Sequence, residues 1–317
     1  MGDAVGRARD GRGVTAMRGR TCVVTGATSG IGYEVARILA ARGAAVIGVG
    51  RDPARCAEAA SRIAAATGND RVTFEIADLS SLAEVRALAE RISARAERID
   101  VLVNNAGGFA FRRRWTVDGI EMQFALNYLA GYLLTRLLLS KMTTTGSSGG
   151  ARVIMVSSGS HYSGRMHWAD VGLRGAYNGL AAYDQSKLAA VLFTRECARR
   201  LGPDSPVSTF AVDPGLVKTD IGMKGTGALV RMVWRLRTRG GISPAEAAAT
   251  VAYLALDPLI RGRTGLYWKG CRLVAPSKRA LDPRDARRLW DLSESLCGLR
   301  ATEAPLTGDS APATIPA

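Results

Sequence analysis

The stretch TCVVTGATSGIG, residues 21–32, decides the fold. A short apolar run ends at Thr25, a glycine-rich turn follows, and the turn leads into a helical pattern. Its glycines remove side chains where the backbone must approach a phosphate and where the helix must pack on the strand. The helix N-terminus adds free N–H groups and the positive end of a dipole. The G-x3-G-x-G spacing also fits an ordinary tight turn, but the strand–turn–helix context favours dinucleotide binding.

Strand-like and helix-like segments alternate from about residue 20 to about residue 270. The runs predicted as strands are 21–25, 44–49, 71–76, 99–104, 151–157, 206–212 and 264–268. These runs are continuously apolar, which is typical of strands buried on both faces of a parallel sheet. Ser81 with Glu84, and Ser243 with Glu246, have the spacing of a capping box. We therefore predict an α/β fold: a Rossmann-type, doubly wound parallel sheet of about seven strands flanked by helices.

Length and composition fit one domain with two tails. The chain has 317 residues, of which 47% are hydrophobic. We predict a dinucleotide-binding domain over residues 18–301, a disordered basic tail over 1–17 and a disordered tail over 302–317. No run of about eighteen uncharged apolar residues is found, and residues 1–17 lack the apolar core of a signal peptide. We therefore expect a cytoplasmic protein without an integral membrane segment.

The formal net charge of +15 suggests an anionic partner. The basic residues are spread along the whole chain, only 6% of residues are aromatic, and no nucleic-acid-binding motif is found. We therefore expect no nucleic-acid partner and assign the charge to anionic cofactors and substrates. The five cysteines and two histidines lack ligand spacing, so we expect reduced thiols and no metal.

The end of the second predicted strand bears on the choice of cofactor. An NAD site usually has an acidic residue there, which accepts from the ribose 2′-hydroxyl. In this chain the position is Gly50, and Arg51 follows with a guanidinium that suits a 2′-phosphate. NADP(H) is therefore favoured over NAD(H). Asp52 is expected to cap the next helix, and Arg55 is either a second phosphate contact or a solvated residue.

Two further strand ends carry polar residues. Asp78 follows the third strand within ADLSS, and its carboxylate either accepts from the adenine amino group or caps the next helix. The sequence NNAGG, residues 104–108, follows the fourth strand. It fits a sharp turn, and it also fits backbone contact with a cofactor in the crevice at this edge of the sheet.

A tyrosine and a lysine lie one helical turn apart in AAYDQSKLAA. Tyr183 and Lys187 share a helix face that is otherwise small and apolar, and Ser157 and Ser158 end the fifth strand. An apolar face disfavours an unpaired ammonium group. By itself the pair fits a packed tyrosine beside a snorkelling lysine equally well. The dinucleotide turn and the serine-tipped strand that precede it favour a reacting pair.

These motifs together resemble the short-chain dehydrogenase/reductase family. The resemblance covers roughly residues 18–300 and rests on TGxxxGIG, NNAG, the strand-end serine, YxxSK and the DPG at 213–215. More narrowly, stretches such as SKLAAVLFTRECARRL resemble the branch of retinol dehydrogenases, the WW-domain oxidoreductase and protochlorophyllide reductase. We expect the chain to differ from members of that branch in three features: an N-terminal apolar anchor, a WW domain and the protochlorophyllide enzyme's active-site cysteine, none of which is recognised in these residues.

The resemblance implies four catalytic residues. Tyr183 is the general acid that protonates the carbonyl oxygen, and Lys187 lowers its pKa and holds the nicotinamide ribose. Ser158 donates to the substrate oxygen, and Asn127, within FALNYLAG, holds a proton-relay water. The cofactor-binding residues implied by motif and resemblance are Gly26, Thr28, Ser29, Gly30, Ile31, Gly32, Arg51, Asp78, Leu79, Asn104, Ala106, Gly107, Tyr183, Lys187, Pro214, Gly215, Val217 and Thr219.

Two segments are candidates for the substrate side. Residues 222–240 mix apolar side chains with arginines, which fits a lid over a lipophilic substrate, a peripheral membrane contact, or a helix packed on the domain. The stretch FAFRRRWT, residues 109–116, follows the fourth strand, and Arg112–Arg114 are expected to be solvated, with an acidic substrate as the alternative. The predicted pocket residues are Phe109, Phe111, Trp115, His161 and Trp234.

The sequence thus predicts an NADP(H)-dependent oxidoreductase of the carbonyl reductase/alcohol dehydrogenase type. It transfers hydride between the nicotinamide and a carbonyl or alcohol of a bulky lipophilic substrate. Two alternatives stay open: reduction of a C=C bond, which the protochlorophyllide resemblance allows, and a non-catalytic NADP(H)-binding regulator. The helix-mediated homodimer that is usual in the family is also left open.

Overall fold

A single sheet organises the described part of the chain. The computed structural model describes residues 17–143, 150–217, 240–260 and 262–299. The strands are β1 Thr21–Thr25, β2 Ala45–Gly50, β3 Val72–Ile76, β4 Val101–Asn104, β5 Ala151–Val156, β6 Val207–Asp213, β7 Leu266–Lys269 and β8 Arg272–Leu273. They lie in the order β3-β2-β1-β4-β5-β6-β7-β8. All neighbours are parallel except β8, which pairs antiparallel with β7. The predicted doubly wound sheet is confirmed.

Helices connect the parallel strands and cover both faces of the sheet. They are α1 Gly30–Ala41, α2 Pro53–Thr67, α3 Leu82–Arg95, α4 Met122–Phe124, α5 Ala130–Thr143, α6 Gly179–Leu201, α7 Pro244–Leu256 and α8 Pro283–Cys297. A π-helical turn, Ala125–Leu129, joins α4 to α5. One face carries a core of residues from α3, α5, α6 and α8, such as Leu88, Leu133, Phe193 and Trp290. The other carries residues from α1 and α7, such as Val35, Leu39 and Val251.

Side-chain caps fix where the helices begin. The carboxylate of Asp52 accepts from the Arg55 N–H at 3.1 Å, which confirms it as the cap of α2. At Ser243 the capping box is complete before α7. Ser81 caps α3 through the Glu84 N–H, but the Glu84 carboxylate bonds the Asp78 N–H at 2.6 Å instead of closing the box. The Asp52, Ser81 and Ser243 side chains each satisfy an N–H group in the first turn that the helix itself leaves open.

The carboxyl ends of the parallel strands meet at one edge of the sheet. Because β1 pairs with β2 on one side and with β4 on the other, the chain reverses its winding direction there. The Ala27 N–H bonds the Val49 carbonyl at 3.1 Å, and the Ala77 N–H bonds the Gly50 carbonyl at 2.9 Å. The loops after β1, β2 and β3 are therefore tied together at the crevice where ligands of this fold class bind.

Three further points concern the ends and loops. Met17, the last residue of the predicted N-terminal tail, is buried, and its N–H bonds the Arg42 carbonyl. Residues 1–16 and 302–317 of the predicted tails, and most of the predicted loop 143–150, lie outside the described residues. Among the helices of the described ranges, none is long and apolar enough to cross a membrane.

Candidate active site

The turn after β1 is built from main chain. Gly26 has a φ of +67°, and a Cβ there would lie 3.0 Å from the Ala106 Cα. A Cβ on Gly32 would collide with the Gly26 carbonyl oxygen, so only glycine fits both positions. Ser29 precedes α1 with extended backbone, and in the described part of the chain no side chain caps this helix. The turn therefore leaves open N–H groups for an anion.

Asn105 ties this turn to the loop after β4, a role that was not predicted. Its side-chain amide donates to the Thr25 carbonyl at 2.8 Å. The Thr25 hydroxyl in turn accepts from the main-chain N–H groups of Asn105 and Ala106, both at 2.9 Å. The second asparagine of NNAGG was the available signal. This bracing holds two cofactor-facing loops in a fixed relation.

The end of β2 has no space for an acidic side chain. A Cβ on Gly50 would lie 2.6 Å from both the Thr28 Cγ2 and the Cys56 Sγ. Arg51 beside it is exposed, and its guanidinium has no hydrogen-bond or ion-pair partner among the described residues. Because Asp52 is engaged as a helix cap, its carboxylate does not neutralise this cation directly. The arrangement leaves a free cation where a 2′-phosphate would be recognised.

Asp78 stabilises a turn and does not cap α3. Its Oδ1 accepts from the Ser80 N–H at 3.0 Å and from the Ser80 hydroxyl at 2.8 Å, whereas Ser81 caps the helix. The alternative of a helix cap at Asp78 is therefore wrong. The neighbouring Leu79 is buried in the core. It also lines a small cavity at the sheet edge together with Thr25, Asn104, Ala106, Leu126, Asn127, Ala130, Gly131 and Leu134.

These residues fit a nicotinamide dinucleotide. The glycine turn offers a cradle that any Cβ at Gly32 would fill. Asn104 donates to the Thr135 hydroxyl at 3.0 Å, but its buried Oδ1 has no hydrogen-bond partner among the described residues. A buried carbonyl oxygen without a partner is costly unless a ligand or solvent satisfies it. The main-chain cradle, this acceptor and the cation of Arg51 lie along the crevice that the fold provides.

Lys187 is buried on α6, and Tyr183, one helical turn before it, is half-buried. The ammonium Nζ donates to the Val156 carbonyl at 3.0 Å and lies 5.5 Å from the centre of the Tyr183 ring. Burial lowers the pKa of Lys187 to about 8, and the Asp213 carboxylate acts in the opposite direction. Burial raises the pKa of Tyr183 to about 12, and its hydrogen bond with Ser158 acts against this rise. Tyr183 is therefore linked to Ser158, and the Lys187 ammonium lies beside the phenol ring.

The structure separates the two serines that end β5. The Ser157 hydroxyl is buried and donates to the Lys187 carbonyl at 2.8 Å, which anchors β5 to α6. The Ser158 hydroxyl accepts from the Ser160 N–H at 3.2 Å and also bonds Tyr183. Of the two, Ser158 is the one that a substrate oxygen bound at Tyr183 can reach.

Asn127 lies in the π-helical turn and holds the loop after β4. Its Oδ1 accepts from the Gly108 N–H at 2.7 Å, and its Nδ2 donates to the Gly108 carbonyl at 3.0 Å. The same Nδ2 lies 3.0 Å from the Ser186 hydroxyl. A Cβ on Gly107 would lie 3.0 Å from the Asn127 Oδ1 and 3.7 Å from the Lys187 Nζ. Gly107 therefore fits in the narrow space between these two side chains.

Asp213 ends β6, and its charge acts on both Tyr183 and Lys187. It is buried, its Oδ1 accepts from the Gly215 N–H at 2.9 Å, and its Oδ2 pairs with the Lys269 Nζ at 3.0 Å. Gly215 has a φ of +86°, which turns the chain after Pro214 over the sheet edge. The family resemblance implies that the DPG motif at 213–215 lies behind the nicotinamide, but the sequence did not predict an effect of the Asp213 charge on Tyr183 and Lys187. Its charge raises the pKa of both Lys187 and Tyr183.

The segment after β6 is described only at its two ends. Val217 forms a parallel bridge with Ile242, and the Ile242 N–H donates to the Leu216 carbonyl at 2.8 Å. Thr219, Trp234 and almost all of the predicted lid 222–240 lie outside the described residues. The bridge between Val217 and Ile242 thus holds the two described ends of this segment next to each other.

Comparison with known proteins identifies the family. Residues 20–227 match the short chain dehydrogenase family. The chain belongs to this short-chain dehydrogenase family. Retinol dehydrogenase 13 of Mus musculus is 41% identical over 291 residues, which cover 89% of this chain and 84% of the relative. Retinol dehydrogenase 14 of Homo sapiens is 37% identical and covers 94% of this chain and 92% of its own length. The predicted family and its retinol dehydrogenase branch are confirmed.

Solved structures agree with the family assignment. A crystal structure of an uncharacterised protein from Mycobacterium paratuberculosis has a TM-score of 0.72 and 34% identity, covering 90% of this chain and 96% of that one. A short-chain dehydrogenase/reductase of Serratia marcescens has a TM-score of 0.62 and 28% identity, covering 81% and 98%. The chain is thus an oxidoreductase of the alcohol–carbonyl class, in a family that uses NAD(P)(H).

Two of the aromatic residues predicted for the substrate pocket of this dehydrogenase, Phe109 and Phe111, form a row that begins at Tyr183. Phe109 is buried and meets the Tyr183 ring edge-to-face, with 5.7 Å between ring centres. Phe111 meets Phe109 edge-to-face at 4.6 Å and is 43% exposed. The two rings form an apolar wall against the Tyr183 ring. Because Phe111 reaches solvent, the wall extends outward from Tyr183.

The arginines after this wall do not all face solvent. Arg113 is half-buried, and its guanidinium donates to the carbonyls of Leu173, at 2.7 Å, and Arg174, at 2.5 Å. The Trp115 ring contacts the guanidinium groups of Arg113 and Arg174, at 5.6 and 4.4 Å. The expectation of a solvated run is wrong for Arg113, although Arg112 is exposed. Trp115 therefore packs with the arginines that hold two loops together.

A buried polar network, not predicted from the sequence, fixes the aromatic wall. The Gln123 amide donates to the Tyr177 hydroxyl and the Gly179 carbonyl, both at 3.0 Å, and accepts from the Ala110 N–H at 3.2 Å. The Tyr177 hydroxyl donates to Glu121 at 2.9 Å. Burial raises the pKa of the Glu121 carboxyl. The network joins the loop after β4 to the start of α6, which carries Tyr183 and Lys187.

Proposed function

We propose that the protein is an NADP(H)-dependent oxidoreductase that interconverts a carbonyl and an alcohol on a bulky lipophilic substrate. One observation carries the proposal: Tyr183, hydrogen-bonded to Ser158 and beside the buried Lys187, lies against the Phe109 ring at the cofactor edge of the sheet. A proton donor, a cation and an apolar wall are thus placed together. Hydride transfer to a lipophilic carbonyl needs these three features.

Side chains of the protein itself would bind the carbonyl oxygen and donate the proton to it. A carbonyl oxygen bound at Tyr183 would accept hydrogen bonds from the hydroxyls of Tyr183 and Ser158. As negative charge develops on that oxygen, the Tyr183 hydroxyl donates its proton to it. The Lys187 ammonium stabilises the phenolate that remains. The nicotinamide, when bound, supplies the hydride in reduction and accepts it in oxidation.

The preference for NADP(H) rests on the end of β2. The space beside Gly50 is filled by Thr28 and Cys56, so a carboxylate for the ribose 2′-hydroxyl cannot be placed there. The exposed Arg51 guanidinium supplies a planar fork for a 2′-phosphate. Arg55, in the first turn of α2, is half-buried and is the second candidate for this contact. We therefore expect tight binding of NADPH and weak binding of NADH.

The substrate class follows from the wall and from the relatives. Phe109 packs against the Tyr183 ring and Phe111 against Phe109, so aromatic surface adjoins the tyrosine. Relatives that are 37–41% identical are retinol dehydrogenases, whose named substrate is a long apolar alcohol. We propose lipophilic aldehydes or ketones and the matching alcohols for this chain. Retinaldehyde is the natural first probe.

The test is a panel of lipophilic aldehydes and ketones, each assayed with NADPH and with NADH. We expect cofactor oxidation with NADPH and recovery of the corresponding alcohol. Tyr183→Phe should abolish turnover, whereas Tyr253→Phe on the opposite face of the sheet should not. A saturated carbonyl product would instead show a C=C reductase. Binding of NADPH without consumption of any carbonyl would show a regulator and overturn the proposal.

A further inference from the structure

His161 lies directly behind the catalytic serine. It is fully buried in the short turn Gly159–Tyr162 that follows Ser158. The Ser158 carbonyl accepts two bonds from it, one from the His161 main-chain N–H at 3.1 Å and one at the ring Nδ1 at 2.8 Å. The ring is therefore bonded to the serine's own backbone and has no open nitrogen on that side for a substrate.

The other ring nitrogen determines the tautomer. The Ser277 main-chain N–H donates to the His161 Nε2 at 3.1 Å, so Nε2 must be unprotonated. The ring proton is then on Nδ1, where it is donated to the Ser158 carbonyl. Burial lowers the pKa of His161, which keeps this neutral form, although Ser158 and the charge of Asp213 act in the opposite direction.

Aromatic rings hold the imidazole in place. The ring centres of Tyr162 and Tyr267 lie 4.1 and 4.5 Å from that of His161. The same two chain segments meet again nearby, because the Tyr162 hydroxyl donates to the Ala275 carbonyl at 2.6 Å and Arg279 donates to the Gly164 carbonyl at 3.0 Å. The imidazole is thus fixed in orientation between the serine turn and the segment that precedes α8.

We infer that His161 is a positioning residue, a neutral imidazole that links the Ser277 backbone to the Ser158 carbonyl and so aims the Ser158 hydroxyl at Tyr183. The inference rests on the proposed function, because the orientation of the Ser158 hydroxyl affects turnover only if this hydroxyl binds the oxygen of a reacting substrate. The Ser158 hydroxyl already accepts from the Ser160 N–H within the same turn. A turn that rotates about its carbonyl would carry this hydroxyl away from the phenol, and small misplacements reduce rates strongly.

Two substitutions each keep one of the two hydrogen-bonding groups of the imidazole and remove the other. His161→Asn keeps an amide N–H at the position of Nδ1 and so retains the bond to Ser158, but it loses the acceptor for Ser277. His161→Gln keeps an acceptor at the position of Nε2 for Ser277 and loses the donor to Ser158. Both variants remove the same aromatic packing. His167→Gln is the matched control, since His167 lies outside this chain of bonds.

The experiment measures kcat, KM and thermal unfolding with NADPH and the best substrate of the panel. We expect His161→Asn to stay within about threefold of the wild-type kcat and His161→Gln to fall about 10- to 100-fold, with similar KM and similar unfolding temperatures. Equal kcat in the two variants, or a larger loss in His161→Asn, overturns the inference. If the wild-type protein reduces no carbonyl, the proposed function fails, which is a different result.

A second measurement covers the case in which both variants unfold. The chain has two histidines, so ¹⁵N-histidine labelling gives two ring systems, and His167→Gln assigns them. For His161 we expect a protonated Nδ1 and an unprotonated Nε2 at neutral pH. Addition of NADP(H) and substrate should shift this signal, because the serine turn is part of the loaded site. A protonated Nε2, or a signal unchanged by the ligands, overturns the inference.

Discussion

The phosphate turn, residues 25–32, and the serine segment, residues 158–178, border the same crevice but are built differently. In the phosphate turn the fit is made by main chain and by missing side chains, as at Gly26 and Gly32. In the serine segment the backbone is held by side chains that reach it from elsewhere, as His167 N–H is held by Gln185. The phosphate turn, whose surface is main chain, has almost no space for an added side-chain atom. The position of the serine segment depends on each hydrogen bond from a supporting side chain.

The supports of the serine segment come from three directions. Gln185 on α6 accepts from the His167 N–H and donates to the Val171 carbonyl, both at 2.8 Å. The Trp168 indole donates to Asp285 on α8 at 3.1 Å. Arg113, in the loop after β4, bonds the carbonyl of Leu173. We therefore expect substitutions in the two regions to have different effects. Those in the phosphate turn should weaken cofactor binding, and those in the serine segment should reduce kcat.

The largest effect is expected in the phosphate turn. Gly32→Ala should weaken NADPH binding about 100-fold or more, because its Cβ would collide with the Gly26 carbonyl oxygen and would displace the turn. Fluorescence titration of NADPH measures the loss. Gly175→Ala in the serine segment is the control, since a Cβ there would meet no atom within 4 Å. Equal affinities of the two variants would contradict the main-chain account of the turn.

A smaller change is expected at the cation beside the turn. Arg51→Ala should reduce the preference for NADPH over NADH by about 10- to 100-fold, because a charge-assisted fork to the 2′-phosphate is lost while the turn is intact. Titration with both cofactors measures the preference. Arg55→Ala tests the second candidate. If Arg55→Ala alone removes the preference, the assignment to Arg51 is wrong.

In the serine segment, loss of a single support should reduce turnover and leave cofactor binding unchanged. Gln185→Leu leaves the His167 N–H and the Val171 carbonyl without partners in a buried position, which should cost about 2 kcal/mol in the free energy of unfolding. We expect kcat to fall about tenfold with an unaltered NADPH Kd. Denaturant unfolding and the same titration check both parts. A weakened NADPH Kd would show that the two regions are not separable.

The smallest effect is a shift in pH dependence from Asp213. Its carboxylate stabilises the Lys187 ammonium and disfavours the Tyr183 phenolate, so it raises the pKa of both groups. Asp213→Asn should therefore move the alkaline fall of kcat/KM for carbonyl reduction to lower pH, by up to about one pH unit. Lys269→Met removes the cation paired with Asp213 and should shift the fall to higher pH. Shifts of the same sign in both variants would contradict the coupling.

The same difference explains what could be predicted from the sequence. The parallel sheet, the Asp52 cap and the Ser243 capping box follow from local patterns, because period, turn and cap signals lie within a few residues of the structure they specify. The two-residue β8 has exposed side chains and no apolar run, so no pattern marked it. The glycines of the phosphate turn could be found for the same local reason.

The supports of the serine segment could not be found in this way. The bond between His161 and Ser277 joins residues 116 positions apart, and neither residue belongs to a local motif. Arg113 looked like part of a solvated basic run because its carbonyl partners lie 60 and 61 positions away. Buried polar side chains satisfied by distant backbone carry no periodic signal, and only the folded chain shows their partners.

The central claim is that Tyr183 protonates a carbonyl as hydride arrives from NADPH. The most direct measurement is a single-turnover reaction with retinaldehyde and NADPH carrying deuterium at the transferred position, followed by mass spectrometry of the product. We expect deuterium on the carbinol carbon of the alcohol with the wild-type protein, and none with Tyr183→Phe. Deuterium in a saturated carbonyl product, or undiminished transfer by Tyr183→Phe, would contradict the claim.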